Sequence, residues 1–465
     1  MILERETELA ELGRLLDDLD TSGGRTVLVR GEAGIGKSAL ITQFIADTAD
    51  RVHVLLGACD DLLTPQPLGP IWDVARHDSS VALPLSRGDR RAVMEVLLDL
   101  LSRQLRPTIL VLEDMQWADE ATLDAVTFLG RRIARTNGLL ILTYRDDPID
   151  SDHPLRQVVG ELQPSSVVRM HLDHLSVEAI STMVGDTDLD LEEVVSLTGG
   201  NPLFVTEVVA AGVEAVPLSV RDSVLARASK IAPGARRILE LVCVSPGDLE
   251  RSLVDEILDP TQEQLAESTR QGLLRIEAHT VSFHHELQRR AVESSLGTAD
   301  RRHLNKQVLT ALGDRGEPSR LAHHAREAGE AESIIEFAPR AARAAMAIES
   351  HREAVAHFRM LEPYIVQMTV PVQAAILEDW AREEFYLDDP LSLDLLDRAI
   401  ALRRSLGDDR ALARTLTLAA GVNKEHLRTE RALACVVEAV DILDSYPPSA
   451  DLASSLSAHA FIHWL

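Results

Sequence analysis

Short, nearly continuous apolar runs alternate with amphipathic stretches in the first 172 residues of the chain. Five such runs predict buried strands, at residues 27–29, 52–56, 109–112, 139–142 and 167–172. Apolar runs of this kind, separated by helical segments, are typical of a parallel β-sheet that is covered by helices on both faces. We therefore predict an α/β domain in this part of the chain.

After residue 172 the strand pattern nearly disappears. Residues 176–213 predict a small helical block that is broken at Gly199-Gly200-Asn201-Pro202. Further helices follow, and then two short strand-like runs appear at 273–276 and 280–283. Helices followed by a small hairpin predict a winged-helix unit.

From residue 301 to residue 465 one alanine-rich helix follows another. Related phrases recur at 353–355, 398–400 and 438–440. These spacings exceed the ~34 residues of a regular tetratricopeptide repeat (TPR) and indicate a loose solenoid of helical hairpins. An ordinary helical bundle is the alternative. Because a solenoid should close with a polar face and residues 460–465 are apolar, we expect the chain to be part of something longer.

Composition and charge restrict the class of protein. The 465 residues are 45% hydrophobic and 26% charged, as in soluble globular proteins. A net charge of −27 makes the chain as a whole a poor partner for nucleic acid. Cys59, Cys243 and Cys435 are far apart, which argues against a disulfide framework or a zinc site. Without a signal-peptide pattern or a membrane-length apolar run, the sequence predicts a cytoplasmic protein.

The segment GEAGIGKS at residues 31–38 fits the phosphate-binding pattern GxxxxGK[ST] at every position, and it lies between a predicted strand and a predicted helix. Glycines allow the backbone N–H groups to surround a phosphate, and the helix that follows adds its positive dipole end. Lys37, one of only four lysines, can reach the β- and γ-phosphates, and Ser38 can offer its hydroxyl to Mg²⁺. A chance glycine-rich turn is the alternative. The residues predicted to bind ATP here are Gly31, Ala33, Gly34, Ile35, Gly36, Lys37, Ser38 and Ala39.

A second candidate group follows the strand at 108–112, which ends in Glu113 and Asp114. A carboxylate at a strand end beside the phosphate-binding loop can hold Mg²⁺, and a second one can polarise the attacking water. The alternative is a solvated strand end. Asp119 is predicted to be the N-cap of a helix over 121–133 rather than a catalytic group.

These motifs together resemble the STAND class of signalling ATPases, and most closely the large ATP-binding transcriptional regulators of the LuxR family. The resemblance covers residues 3 to about 364. Glu4 stands where the family has a glycine, and Glu113 stands where many members have an aspartate. The phrases that carry the resemblance are LERETEL at 3–9, LEDMQWAD at 112–119, LILTYR at 140–145, GGNPLF at 199–204 and FHHEL at 283–287.

The resemblance implies a role for several residues. Arg5 would lie near the nucleotide, Arg145 would sense the γ-phosphate, and Pro202 would pack on the adenine. His285 would contact the β-phosphate in a closed, ADP-bound form. Glu113 is assigned with Ser38 to Mg²⁺ and Asp114 to water activation, so the predicted catalytic residues are Lys37, Asp114 and Arg145. From the residues alone, Arg145 could equally be a surface arginine, His285 a packed or surface histidine, and Pro202 a helix-breaking turn.

The predicted architecture is multidomain. It comprises a P-loop nucleotide-binding domain with an AAA+/STAND-like parallel sheet at 1–173, a helical lid at 174–215, a winged helix at 216–300 and TPR-like helical repeats at 301–465. Residues 216–299 carry ten Lys and Arg residues against twelve Asp and Glu residues, unlike a DNA-reading module. DNA binding is therefore expected only through a C-terminal helix-turn-helix that this chain lacks.

The predicted function is a slowly hydrolysing ATP switch of a bacterial LuxR-type transcriptional regulator, closed with ADP and open with ATP. We expect a small-molecule or protein effector on the helical repeats to bias the two states, and the open state to form homo-oligomers without a membrane partner. Two alternatives are the ATPase-and-repeat sensor half of a cyclase or kinase and a stand-alone nucleotide-dependent scaffold for protein interactions.

Overall fold

The computed structural model describes residues 2–62, 64–103, 105–145, 153–185, 187, 189–211 and 220–464. The chain divides into two compact units. The first comprises residues 1–316 with 327–329, and the second comprises residues 317–326 with 330–465.

A five-stranded parallel sheet forms the centre of the first unit and confirms the five predicted strands. Its strands are β1 (Arg25–Arg30), β2 (His53–Ala58), β3 (Thr108–Glu113), β4 (Gly138–Tyr144) and β5 (Val167–His171). Their order across the sheet is β2-β3-β4-β1-β5. Because all strands are parallel, the segments that follow β1, β3 and β4 meet at one edge of the sheet.

Helices cover both faces of this sheet. They are α1 (Glu6–Asp17), α2 (Leu19–Ser22), α3 (Lys37–Thr48), α4 (Gly69–His77), α5 (Ser79–Ser86), α6 (Arg90–Leu101), α7 (Glu120–Gly130) and α8 (Pro154–Glu161). Val27 and Val29 of β1 pack with leucines of α1 and with α3 in one apolar core. Leu28 points to the opposite face and is equally buried, which explains why β1 is apolar throughout.

Three helices follow the sheet and confirm the predicted helical block. They are α9 (Val177–Val184), α10 (Leu191–Thr198) and α11 (Pro202–Ala211). Ile180, Val194 and Val205, one from each helix, meet in a small apolar core. We call these three helices the lid. The domain boundary predicted between residues 215 and 216 lies outside the described residues.

The remainder of the first unit combines helices with a small antiparallel sheet. Its elements are α12 (Val220–Ser229), α13 (Pro233–Cys243), β6 (Leu249–Glu250), α14 (Arg251–Leu258), α15 (Gln262–Arg270), β7 (Leu274–Ile276), β8 (Thr280–Phe283), α16 (Glu286–Ser295) and α17 (Thr298–Leu312). β8 pairs antiparallel with both β6 and β7. The winged-helix name stays a prediction. The boundary predicted at residues 300 and 301 falls inside α17, so the division of the chain comes later than expected.

The second unit is entirely helical in its described residues. Its helices are α18 (Pro318–Ala328), which begins in this unit, α19 (Ala331–Ala347), α20 (His351–Leu361), α21 (Val370–Tyr386), α22 (Leu391–Leu406), α23 (Asp409–Glu425), α24 (Thr429–Asp444) and α25 (Ala450–Trp464). Helices α19, α21 and α23 begin at residues 331, 370 and 409, so the hairpins repeat more evenly than the recurring phrases indicate. Across the described ranges, every helix is either too short or too polar to span a bilayer.

Candidate functional site

The phosphate-binding segment connects β1 to α3 and folds as a loop that curls back on itself. Gly31, Gly34 and Gly36 have φ angles of 151°, 80° and 103°, which side-chain-bearing residues rarely adopt. Gly36 is the residue immediately before α3, so the loop ends at the N-terminus of that helix. Helix N-termini attract anions because their first N–H groups have no partner within the helix.

The ammonium group of Lys37 lies within this loop. Its Nζ donates hydrogen bonds of 2.8 Å to the carbonyl oxygens of Gly31 and Glu32. Lys37 is only 7% exposed, although lysine is rarely buried without partners. The loop therefore holds a positive charge at its centre, where it can meet a phosphate. Next to Lys37, Ser38 and Ala39 are exposed on the first turn of α3, whereas Ile35 is buried in the core below.

Arg5 contacts the underside of the loop. Its guanidinium donates to the backbone oxygens of Ile35 at 3.2 Å and of Asp173 at 2.7 Å. Arg5 is buried, which distinguishes it from a solvated helix residue. Direct contact between Arg5 and a nucleotide stays a prediction. What the structure adds is that Arg5 connects the N-terminal segment to the loop and to the chain that leaves β5.

The lid contacts the other side of the loop. Nδ2 of Asn201 donates to the carbonyl oxygen of Ala33 at 2.9 Å, and the N–H of Leu203 donates to that of Gly34 at 3.2 Å. Pro202 lies between them, half-buried, as the first residue of α11. The segment predicted to pack on adenine through Pro202 thus touches the phosphate loop through its neighbours.

Glu113 lies at the end of β3, with the Ser38 hydroxyl near its carboxylate. Burial, assisted by the negative charge of Asp114, raises the pKa of Glu113 to about 7, while Ser38, Lys37 and Arg275 favour its ionised form. Hydroxyl and carboxylate oxygens are the ligands that Mg²⁺ prefers, and this ion takes its other ligands from phosphates and water. The pair Ser38 and Glu113 therefore fits the predicted metal role.

Asp114 and Arg145 are brought together at the ends of the neighbouring strands β3 and β4. Nε of Arg145 lies 3.8 Å from Oδ1 of Asp114. Gln116 joins the two residues, since its Nε2 donates to Asp114 at 2.8 Å and its Oε1 accepts from the N–H of Arg145 at 3.0 Å. Gln116 carries no recognisable signal of this role in the sequence. The side chain of Arg145 is mostly buried, unlike that of a typical surface arginine.

Asp119, predicted to be a helix N-cap, has that role. Its carboxylate accepts from the N–H of Thr122 in the first turn of α7 and from the N–H of Leu68. Burial raises its pKa despite these hydrogen bonds. Because its oxygens are committed to structural contacts, Asp119 is not part of the candidate reaction site.

His285 immediately precedes α16 and is exposed. Desolvation by the surrounding protein lowers the pKa of His285 to about 4, and the nearby charges of His284, Arg227 and Arg275 contribute to the shift. At neutral pH its ring is therefore neutral and can donate one hydrogen bond to a phosphate oxygen. Arg275 also favours the ionised form of Glu113, so the charge of one guanidinium acts on both residues.

A further contact joins α16 to the domain that contains the five-stranded sheet. Arg290 of α16 forms an ion pair with Asp61, and its guanidinium lies 5.5 Å from the centre of the Trp117 ring. Nearby, a Cβ added to Gly247 would lie 2.4 Å from Oδ1 of Asp60, so the two segments pack closely. The segment that follows β2 thus contacts the region around α16.

Comparison with known families agrees with this geometry. Residues 2–142 match the AAA ATPase domain family. The matched range contains the loop at 31–38 and the carboxylates Glu113 and Asp114. The chain therefore contains an AAA ATPase domain.

One relative and one solved structure extend the comparison to the remainder of the chain. An uncharacterized protein of Rhizobium meliloti (strain 1021) is 25% identical in an alignment of 417 residues that covers 72% of this chain and 40% of that protein. The chain thus spans less than half the length of this relative. The crystal structure of a signal transduction ATPase with numerous domains (STAND) that carries a tetratricopeptide repeat sensor, from Pyrococcus horikoshii, matches 100% of this chain and 80% of its own, with a TM-score of 0.50 and 14% identity. This match shows a shared fold: a P-loop core followed by TPR-like helices.

Proposed function

We propose that this chain binds and hydrolyses ATP and that the bound nucleotide sets the state of a signalling switch. The observation that carries the proposal is the convergence, at one edge of the sheet, of Lys37 in the phosphate loop, the Ser38–Glu113 pair, and Asp114 beside Arg145. These groups supply a cation for phosphate oxygens, ligands for a divalent ion, a base and a second cation.

Each residue has a role that its chemistry permits. Lys37 binds the β- and γ-phosphates, and Asp114 accepts the proton of the attacking water. Arg145 neutralises charge on the γ-phosphate and reports its presence. Ser38 and Glu113 hold Mg²⁺, which neutralises phosphate charge when it is bound.

The switch proposal is supported by the contacts that reach this edge from outside the sheet. The lid touches the loop through Asn201, and α16 meets the sheet domain through the ion pair between Arg290 and Asp61. The charge of Arg275 acts on both Glu113 and His285. A nucleotide bound here would meet groups from three parts of the unit, so its loss or hydrolysis changes the contacts between them.

The finer assignment rests on the resemblance of the motifs. We propose a LuxR-type transcriptional regulator that hydrolyses ATP slowly, is closed with ADP and open with ATP, and is biased by a small-molecule or protein effector on the helical repeats. The open state forms homo-oligomers, and the protein works in the cytoplasm. A helix-turn-helix encoded beyond Leu465 would support the regulator, and a cyclase or kinase domain would instead support a signalling enzyme.

The test of nucleotide binding is a calorimetric titration of ATP with Mg²⁺ into the wild-type protein and into Lys37→Ala. We expect the variant to lose measurable binding, because it removes the cation at the centre of the loop. The exposed Lys230→Ala provides the matched control and should bind as the wild type does. Unchanged affinity in Lys37→Ala would rule out the proposed site.

A further inference from the structure

The phosphate loop is held by its carbonyl groups. The five backbone oxygens of residues 31–35 each accept a hydrogen bond from a group outside this five-residue turn. The pairs are Gly31 and Glu32 with Lys37 Nζ, Ala33 with Asn201 Nδ2, Gly34 with the Leu203 N–H, and Ile35 with Arg5.

The direction of a carbonyl group fixes the direction of the next N–H group. A trans peptide is planar, and its C=O and N–H bonds point to opposite sides. Holding the oxygen of Ala33 therefore directs the N–H of Gly34 to the other side of the loop, and holding that of Ile35 does the same for Gly36. Within the part of the chain that the structure describes, nothing accepts a hydrogen bond from either N–H. N–H groups presented in this way are what a phosphate needs.

The side-chain amide of Asn201 can be oriented in only one way. One end accepts the N–H of Leu203 at 3.1 Å, which requires the oxygen, so the nitrogen faces the oxygen of Ala33. Asn201 is 1% exposed, so water cannot replace this donor without rearrangement. The same amide thus caps α11 and holds the loop.

Close packing makes the contact rigid. A Cβ added to Gly34 would lie 2.7 Å from Cβ of Leu203 and 3.0 Å from Oδ1 of Asn201. Any movement of this part of the lid therefore either releases the carbonyl groups of Ala33 and Gly34 or moves the loop with it.

We propose that Asn201 is a positioning residue for phosphate binding: from the lid, it holds the Ala33–Gly34 peptide so that the Gly34 N–H faces the phosphate tail of the nucleotide. The lid and the phosphate site are then coupled in both directions, because whatever displaces the lid weakens phosphate binding and bound phosphate retains the lid. This inference rests on the proposed nucleotide binding, but it assigns a role to a residue of a different structural element.

The test uses Asn201→Ser, because serine can still accept the Leu203 N–H at the start of α11 but is too short to reach Ala33. The phosphate and nucleoside parts of ATP are tested separately, with inorganic tripolyphosphate and adenosine as probes. The dissociation constant of each probe is measured by competition against a fluorescent ATP analogue. We expect the dissociation constant of tripolyphosphate to rise about tenfold, the effect of losing one buried hydrogen bond. That of adenosine should stay within about twofold, since the peptide faces only the phosphates.

The control is Thr182→Val, which removes an intrahelical hydroxyl hydrogen bond in α9 of the same lid. Asn201 would have only a structural role if both variants bound tripolyphosphate equally more weakly. The same conclusion would follow if Asn201→Ser bound tripolyphosphate and adenosine equally more weakly. Asn201→Ala provides the same comparison if the serine variant does not fold. If Lys37→Ala retains tripolyphosphate binding, the proposed nucleotide site is wrong. If Lys37→Ala loses tripolyphosphate binding but Asn201→Ser binds it as the wild type does, the site is supported and the positioning role of Asn201 is excluded.

Discussion

Nε of Arg145 lies 3.8 Å from Oδ1 of Asp114, and Gln116 bonds to both residues. The two residues directly follow β3 and β4, which are neighbours in the sheet. A carboxylate can serve as a base toward water, and a guanidinium can bind a γ-phosphate. This pair therefore joins the proposed hydrolytic and sensing roles in one contact.

Replacing Asp114 with asparagine should separate hydrolysis from binding. The Asp114→Asn variant keeps the shape of the side chain but loses the base, so we expect phosphate release to slow by roughly 100-fold or more, with ATP affinity nearly unchanged. Asp47→Asn, on the exposed face of α3, should leave hydrolysis unaffected. A variant of Asp114 that turns over ATP at the wild-type rate would exclude it as the base.

Replacing Arg145 with alanine should change the preference between ATP and ADP. Loss of a charge-assisted contact to the γ-phosphate should weaken ATP by about 10- to 100-fold, while ADP, which has no γ-phosphate, should bind as before. Calorimetric titration with each nucleotide measures this ratio. Arg131→Ala, an exposed arginine paired with Glu161, is the control. If both nucleotides weaken equally, Arg145 supports the fold of the site rather than sensing phosphate.

Replacing His285 with alanine should speed the release of ADP. Its neutral ring donates at most one hydrogen bond to the β-phosphate, so the expected gain in dissociation rate is about fivefold, as for a typical hydrogen bond. Stopped-flow release of a fluorescent ADP analogue provides the rate. His279→Ala, an exposed histidine between β7 and β8, is the matched control. Identical release from the wild type and His285→Ala would remove this residue from the nucleotide site.

Reversing the charge of Arg290 should weaken the contact between α16 and the sheet domain. Arg290→Glu would face Asp61 with a like charge and lose the contact with the Trp117 ring. Since Arg290 is partly exposed, the pair contributes only about 1 kcal/mol, and ADP release should rise about fivefold. The double variant Arg290→Asp with Asp61→Arg should restore slow release, whereas Arg315→Glu, which disrupts an exposed pair with Glu256, should have no effect. Failure of the charge swap to restore the rate would contradict a specific ion pair.

The second unit should lose stability in mild acid because of His357. This histidine of α20 is fully buried, its two ring nitrogens have no partner among the described residues, and burial lowers its pKa to about 4. Between the ordinary histidine pKa near 6.5 and about pH 4, the unfolded chain binds a proton that the folded chain does not. The free energy of unfolding should therefore fall as the pH is lowered through this window, by at most about 1.4 kcal/mol per pH unit for this one group.

Chemical unfolding at several pH values tests this expectation. In His357→Leu, the slope of the free energy of unfolding against pH should decrease by the contribution of one proton between pH 6.5 and 4. His463→Leu, at an exposed position of α25, should keep the wild-type slope. An unchanged slope in His357→Leu would show that other groups cause the acid sensitivity.

The sequence by itself determined the parallel sheet, the phosphate loop and the acidic pair at the end of β3. Each of these features depends on residues that are close together in the sequence. Buried strands are apolar on both faces, the loop needs glycines at fixed spacing, and a strand ends where the apolar run stops. The helical block, the later pair of strands and the helical hairpins could be predicted for the same reason. The spacing of the hairpins could not, because the recurring phrases do not occupy equivalent positions in their helices.

Only the tertiary structure decided which distant groups meet at the loop. Asn201 and Ala33 are 168 positions apart, as are Arg5 and Asp173, and no periodicity relates such residues. Glu4, which stands where the resembled family has a glycine, keeps a glycine-like φ of 55° while its carboxylate accepts from the N–H of Ser176 at the start of α9. Hydrogen bonds of this kind depend on the directions of single groups after the elements have packed, and the pattern of apolar and polar residues does not encode those directions.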